Sequence, residues 1–323
     1  KEHYINIKLV LSNEMIKYLA VIAGPTAAGK TQTAIEVARY FNTDIISADS
    51  RQIYRELKIG TAAPSAEQLA AVKHHFIGNR SVHEYYNASM FECEVIELLD
   101  QLFENHNIVV MTGGSGLYID AVCKGIDDFP AVDPEIRVRL KSEYLQKGIE
   151  WLRQQVKTFD PDYYMQVDIN NPKRLLKALE IYTMTKRPYS SFLTDKKKER
   201  NFMTIYIGLN MQRDVLYNNI NKRVEQMVSH GLIDEAKRLL PFRNLNALNT
   251  VGYKEMFDYL EGKTSLDEAI DLIKRHTRQY ARRQLTWFRK NNQMKWFEPH
   301  EKDAIISYII EFQKREKQKL STI

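Results

Sequence analysis

Residues Gly24, Pro25, Thr26, Ala27, Ala28, Gly29, Lys30 and Thr31 complete the pattern G-x-x-x-x-G-K-[ST], and their flanks suit it. Tyr18–Ala23 is an apolar run of the right length for a buried strand. Thr31–Arg39 follows with Ala34, Ile35 and Ala38 at helical spacing. A strand, a glycine loop and a helix start together aim backbone N–H groups and the positive end of a helix dipole at an anion. Lys30 adds a point charge for phosphate oxygens, and the Thr31 hydroxyl is placed to hold a magnesium ion. The chain is therefore expected to hold a di- or triphosphate on an α/β scaffold.

The loop does not fix what happens to that phosphate compound. Nucleoside triphosphatases with this loop also carry a strand ending in a metal-binding Asp. Here the next strong strand, Asn107–Met111, runs into Thr112-Gly-Gly-Ser-Gly-Leu-Tyr118 and offers no carboxylate there. The acid comes from the second strand, Asp44–Asp49, which is followed by Ser50-Arg51-Gln52. A carboxylate at the carboxyl end of a parallel strand faces the crevice where such sheets bind ligands. This is a different layout from that of an ordinary ATPase.

With 323 residues, the chain is long enough for two domains or for one with an insertion. Its 27% charged and 44% apolar content is that of a water-soluble globular protein, and no apolar stretch approaches a membrane span. Cys93 and Cys123 give neither metal spacing nor a disulfide framework, and read as reduced core thiols in a cytoplasmic protein. Residues 1–14 read as an N-terminal extension ahead of a natural start at Met15.

Strand and helix patterns alternate from Lys17 to about Asp127, with Phe91, Val95, Leu98, Leu99 and Leu102 marking a helix over Ser89–Glu104. After Asp127-Asp-Phe-Pro130 the chain turns helical, polar and basic. Helix starts fall at Asp133-Pro134 and Asn171-Pro172, and Asp195–Arg200 reads as a solvated loop. Phe202–Gly208 reads as a core strand again, and the remainder is mostly helical, with helix stops at Gly231 and Gly262. The expected fold class is therefore α/β: a P-loop-type parallel-sheet core, 15–127 and 202–300, a helical insertion domain, 128–201, and a largely helical C-terminal part ending in a helical tail, 301–323.

The net charge of +6 is modest, but its distribution is uneven. Leu272–Phe297 contains eight Lys and Arg residues and no Asp or Glu. Arg275, Arg278, Arg282 and Arg289 share one helix face, with Ile273, Tyr280, Trp287 and Phe288 roughly opposite and expected to pack on the body. Surface helices ordinarily intersperse both signs, so this tract, together with the basic insertion, points to a polyanion groove with side chains that can stack on unpaired bases.

The motifs in order are GPTAAGKT at 24–31, ADSRQIY at 48–54, IGTAAP at 59–64, HHFIG at 74–78 and TGGSGLY at 112–118. NPKRLLKALEIY at 171–182, VGYKEM at 251–256 and TRQYARRQLTWFR at 277–289 complete them. In this set and order the chain resembles the tRNA dimethylallyltransferase (tRNA isopentenyltransferase) family, from Met15 to about Pro299. The resemblance implies transfer of a dimethylallyl group from dimethylallyl diphosphate to N6 of adenosine 37, beside the anticodon of tRNAs reading codons that begin with U. It also implies magnesium as cofactor and no consumption of ATP, although the loop often earns such proteins a nucleotide-binding or ATP-binding label. The partner is a tRNA anticodon stem-loop, with no membrane involved and monomeric action expected.

By the same resemblance Asp49 is the general base, Ser115 contributes a hydroxyl at the reacting centre, and Arg223 joins Lys30 and the Thr31-held magnesium on the leaving diphosphate. Contacts to tRNA fall to Asp49, Ser50, Arg51, Gln52, Ser115 and Arg137. They extend to Lys173, Arg174, Leu175, Leu176 and Lys177, and to Arg282, Arg283, Gln284, Leu285, Thr286, Trp287, Phe288 and Arg289. Ser115 stands where the family generally has Thr, Ala28 where Ser is frequent, and Gly78 where Asp is common. His74 and His75 are adjacent strand residues on opposite faces and are expected to be structural. Two rivals remain at this point: a P-loop kinase or NTPase acting on small molecules, and an RNA-binding protein that uses the loop as a non-catalytic switch.

Overall fold

A computed structural model describes residues 15–127, 129–130, 133–194 and 198–321. The expected extension at 1–14 and residues 195–197 of the expected Asp195–Arg200 loop lie outside the described residues. Two compact units are present: Gly125–Glu199, and the rest of the chain on either side of it.

The larger unit is built on a sheet of six described strands: β1 (Lys17–Ala23), β2 (Ile45–Ser47), β3 (His74–His75), β4 (Ile108–Gly113), β5 (Phe202–Leu209) and β6 (Lys295–Phe297). They lie in the order β3-β2-β4-β1-β5-β6, and every pairing is parallel. Ala20 pairs with Val110 on one side and Ile205 on the other, so β1 is central. A strand covered on both faces reads as a continuous apolar run, as Tyr18–Ala23 does.

Period-two alternation divides the core. Leu19 and Val21 face one cluster with Ile46, Val109, Met111, Phe91, Val95, Leu99 and Ile273. Tyr18, Ala20 and Ile22 face the other, with Ala34, Ile35, Ala38, Ile305 and Ile309. The first cluster is covered by the helices Ala88–Asn105 and Leu266–Phe288, and the second by Lys30–Phe41 and Lys302–Ser321. The helix expected over Ser89–Glu104 is thus one residue longer at each end, with the Asn87 side chain accepting from the Ser89 and Met90 N–H groups at its start.

In the smaller unit three helices, Pro134–Phe159, Pro161–Gln166 and Pro172–Thr185, enclose Leu140, Leu152, Val156, Leu175, Ala178 and Leu179. Asp133 and Asn171 cap the first and third, as the Asp-Pro and Asn-Pro dipeptides predict. Asp160, buried between helices, accepts from the Tyr163 N–H (3.1 Å), the Ser190 N–H (2.6 Å) and the Ser190 hydroxyl (2.7 Å).

Candidate active site

Parallel pairing puts the carboxyl ends of β1, β2 and β4 side by side, so three loops meet there: 24–31 after β1, 49–52 after β2 and 114–116 after β4. The first turns into helix Lys30–Phe41 through Gly29, whose φ of 79° lies in the left-handed region. Gly113 permits the second and third loops to touch: a Cβ there would lie 2.2 Å from the Ala48 carbonyl oxygen. Ala28 is fully buried, so the residue standing where Ser is frequent points into the core and not at a ligand.

Asp49 ends the β2 segment in a turn that its own side chain closes. Oδ1 accepts from the N–H groups of Arg51 (2.9 Å) and Gln52 (3.2 Å). These bonds orient the carboxylate and engage only Oδ1. Ser115 sits beside it: its Oγ accepts from the Ser50 N–H (2.9 Å) and donates to Ser50 Oγ (3.3 Å). The smaller hydroxyl residue at 115 is thereby held by two partners in place of a second χ1 substituent.

Arg223 comes from helix Arg213–Ser229, which follows β5. Its Nη1 donates to Thr26 Oγ1 in the glycine loop (3.1 Å), and Nη2 reaches the Thr61 and Ala62 carbonyls (both 3.4 Å). Gln52 Nε2 donates to the same two carbonyls (3.2 Å each). Glu225, the obvious surface partner for Arg223, pairs instead with Lys274 (2.8 Å). Burial pulls the Arg223 guanidinium below its usual range, and the Asp49 charge opposes the shift; an arginine stays cationic nonetheless.

Behind these carbonyls lies a residue that sequence reading missed. The buried Glu235 carboxylate accepts from the N–H groups of Lys58 (3.1 Å), Ile59 (3.0 Å) and Gly60 (2.9 Å) and from the Tyr253 hydroxyl (2.7 Å). It fixes the loop on which Gln52 and Arg223 lean. Glu235→Leu strands all four donors, and is expected to destabilise the fold by on the order of 3 kcal/mol. A thermal melt checks this, and an unchanged Tm would mean the loop is held by other means.

Lys30 Nζ donates to the Pro25 carbonyl (2.7 Å). Burial, then the Arg223 charge, push its ammonium down to about 7, while Asp49 acts in the opposite direction. Two cations share a small, partly desolvated space, an arrangement relieved by an anion placed between them. The Thr31 hydroxyl begins the helix beside them and can hold a divalent ion. Among the described residues no three His, Cys, Asp or Glu side chains gather at one point. A magnesium ion that takes most of its oxygens from phosphate and water needs only one or two from protein, so the donor set fits.

The helix Leu266–Phe288 lies along the third loop. Trp287 Nε1 donates to Asp120 (2.8 Å), and its ring fills the space a side chain at 116 would need. Gln284 is buried and bonded to the glycine loop and to Gly114. The expectation that Tyr280 and Trp287 pack inward needs correction: they are 37% and 40% exposed, whereas Ile273 and Phe288 are buried. The Tyr280 hydroxyl is crowded all the same, and burial and the Asp49 charge push it up to about 12. Arg282, Arg283, Thr286 and Arg289 are exposed, Leu285 is half-buried, and Arg278 is tied to Asn221 (2.8 Å).

In the smaller unit Lys173 and Arg174 are exposed, Leu176 and Lys177 half-buried, and Leu175 is part of the core. Arg137 pairs with the buried Glu180 (3.3 Å). His75 bonds Asp44 (2.7 Å) and His74 the Val72 carbonyl (2.8 Å), both structural uses. Cys93 is exposed, contrary to the reading of two core thiols; Cys123 is half-buried, and burial pushes its thiol up to about 12.

Comparison with known proteins gives a consistent result. The family model described as IPP transferase matches residues 52–291. The tRNA dimethylallyltransferase of Christiangramia forsetii is 53% identical over 91% of this chain and 98% of its own length. Its counterpart 1 from Bacteroides fragilis is 50% identical over 91% and 97%. Among solved structures, the tRNA isopentenylpyrophosphate transferase of Bacillus halodurans superposes with a TM-score of 0.68 at 37% identity, covering 95% of this chain and all of that one. A eukaryotic dimethylallyltransferase acting on tRNA gives a TM-score of 0.74 at 25% identity, over 88% of this chain and 74% of that one. With its phosphate loop, its carboxylate just after the second strand and these relatives, the chain belongs to the tRNA dimethylallyltransferase family.

Proposed function

We propose that the protein transfers a dimethylallyl group from dimethylallyl diphosphate to N6 of adenosine 37 in tRNAs reading codons that begin with U, acting as a monomer in the cytoplasm. The observation that carries this reading is the convergence, at the carboxyl ends of β1, β2 and β4, of two crowded cations, Lys30 in the glycine loop and Arg223 bonded to it, with the oriented carboxylate of Asp49. The relatives' printed activity, transfer of this group to tRNA, matches that chemistry.

The N6 amine attacks the allylic carbon while the bond from that carbon to the diphosphate oxygen breaks, the electron pair leaving with diphosphate. Lys30, the loop N–H groups and Arg223 offset the growing negative charge. Thr31 would hold a magnesium ion, which when bound would supply Lewis-acid stabilisation of the same leaving group. The adenine amine is a weak nucleophile because its lone pair is delocalised. Asp49 accepts its proton as the new bond forms, through the oxygen that its own turn leaves unused. Ser115 and Ser50 hold the acceptor near that carboxylate. An adenosine stacked in an anticodon loop reaches such a site only when flipped out. The residues proposed to grip the stem-loop are the exposed Lys173, Arg174, Arg282, Arg283, Trp287 and Arg289, together with the partly exposed Arg51, Arg137 and Lys177.

Lys30 makes a signed prediction. Its ammonium is held near 7 in the donor-free protein, and bound diphosphate favours the charged form. Above pH 7 donor binding must therefore take up a proton, and affinity is expected to fall as pH rises through 8 and 9. Calorimetry at pH 8 in buffers of different ionisation heat should give net proton uptake on binding; zero or net release would contradict the assignment.

The transfer itself is tested with labelled dimethylallyl diphosphate, magnesium and an unmodified anticodon stem-loop, without ATP. Label incorporated into RNA supports the reading. ATP hydrolysis with no incorporation would favour a P-loop NTPase.

A further inference from the structure

Gln284 stands out among the residues of the basic helix because its amide is buried and both of its ends are bonded inward. The side chain is 6% exposed. Its Oε1 accepts from the Thr26 N–H (2.8 Å), inside the glycine loop, and its Nε2 donates to the Gly114 carbonyl (2.9 Å), one residue before Ser115. The two partners demand opposite ends of the amide, so its orientation is fixed by its neighbours. A Cβ at 114 would lie 2.2 Å from Nε2, so the glycine there admits the amide. Thr26 is thereby gripped twice, through its N–H by Gln284 and through its hydroxyl by Arg223.

We infer that Gln284 is a positioning residue for the donor rather than a contact to RNA. It registers the phosphate loop against the turn that carries Ser115, so that the diphosphate site and the acceptor site keep one fixed spacing. This rests on the transferase reading for its reaction but on hydrogen bonds alone for its geometry. A half-made link is worse than none: a carboxylate at 284 would still accept from Thr26 but would face the Gly114 oxygen without a proton to donate.

The test is Gln284→Leu and Gln284→Glu in the full chain. Transfer kinetics are measured with each substrate varied, alongside thermal melts. The expected result is a KM for dimethylallyl diphosphate raised about tenfold in the Leu variant and further in the Glu variant, with the KM for stem-loop unchanged within about twofold. A raised stem-loop KM with a normal donor KM would overturn the inference in favour of RNA contact. A lowered Tm with both KM values unchanged would overturn it in favour of a purely structural link. A tighter donor KM would overturn it by showing that the amide competes with diphosphate for the Thr26 N–H. Calorimetry with inorganic diphosphate reads the same loop without any transfer. If the Leu variant bound it about tenfold more weakly while the wild type transferred nothing to RNA, the positioning role would stand and the transferase reading would fall.

Discussion

Asp49→Asn is expected to bind dimethylallyl diphosphate and stem-loop nearly as the wild type does and to transfer on the order of 10²–10⁴ times more slowly. The substitution is nearly isosteric. The amide oxygen of Asn can still accept from the Arg51 and Gln52 N–H groups that shape the turn, so the loop and the neighbouring Ser50–Ser115 pair are preserved. What is lost is the capacity to take a proton from N6, together with the negative charge that faces Lys30 and Arg223. Single-turnover transfer with both substrates saturating separates the chemical step from binding. A rate within about threefold of wild type would remove Asp49 as the base.

Arg223→Met is expected to lower kcat by about 10²–10³ and to raise the KM for the donor, leaving the KM for stem-loop within about twofold. Methionine keeps the apolar length of the side chain, so packing of helix Arg213–Ser229 is largely retained. Three hydrogen-bonded contacts disappear: to Thr26 Oγ1 and to the Thr61 and Ala62 carbonyls. Gln52 still serves both carbonyls, which limits the structural cost. The loss therefore falls on the leaving diphosphate, whose charge grows as the allylic bond breaks. Arg223→Lys is expected to restore only part of the rate, because one ammonium cannot span Thr26 and the carbonyls together. Full activity in Arg223→Met would leave Lys30 and the loop N–H groups as sufficient.

What could be seen in the sequence follows the range of the interactions involved. The phosphate loop is contiguous, so eight residues and their flanks disclose strand, turn and helix at once. β1, β4 and β5 are long apolar runs because the sheet is covered on both faces, and they were legible for that reason. β3 and β6 are two and three residues long at the sheet edges and leave no periodic signal. The candidate site shows the same division. Lys30, Thr31 and Asp49 follow from motifs at strand ends, and Arg223 was reached only through resemblance. Glu235 and the inward role of Gln284 were not legible, since the backbone groups they bond lie 175–177 residues from Glu235 and 170 and 258 residues from Gln284 along the chain. Tyr280 and Trp287 misled a helical-wheel reading. Trp287 lies against Gly116, and both rings remain partly uncovered, at 37% and 40% exposure.

The central claim, prenyl transfer to N6 of adenosine 37, is met most directly by mapping the product. An unmodified stem-loop with adenosines at positions 36, 37 and 38 would be incubated with the protein, magnesium and dimethylallyl diphosphate, and its fragments read by tandem mass spectrometry. The expected product carries one added dimethylallyl group, confined to the base of adenosine 37 and absent when that position is guanosine. A group found on position 36 or 38, on a ribose, or retained after the guanosine replacement would contradict it.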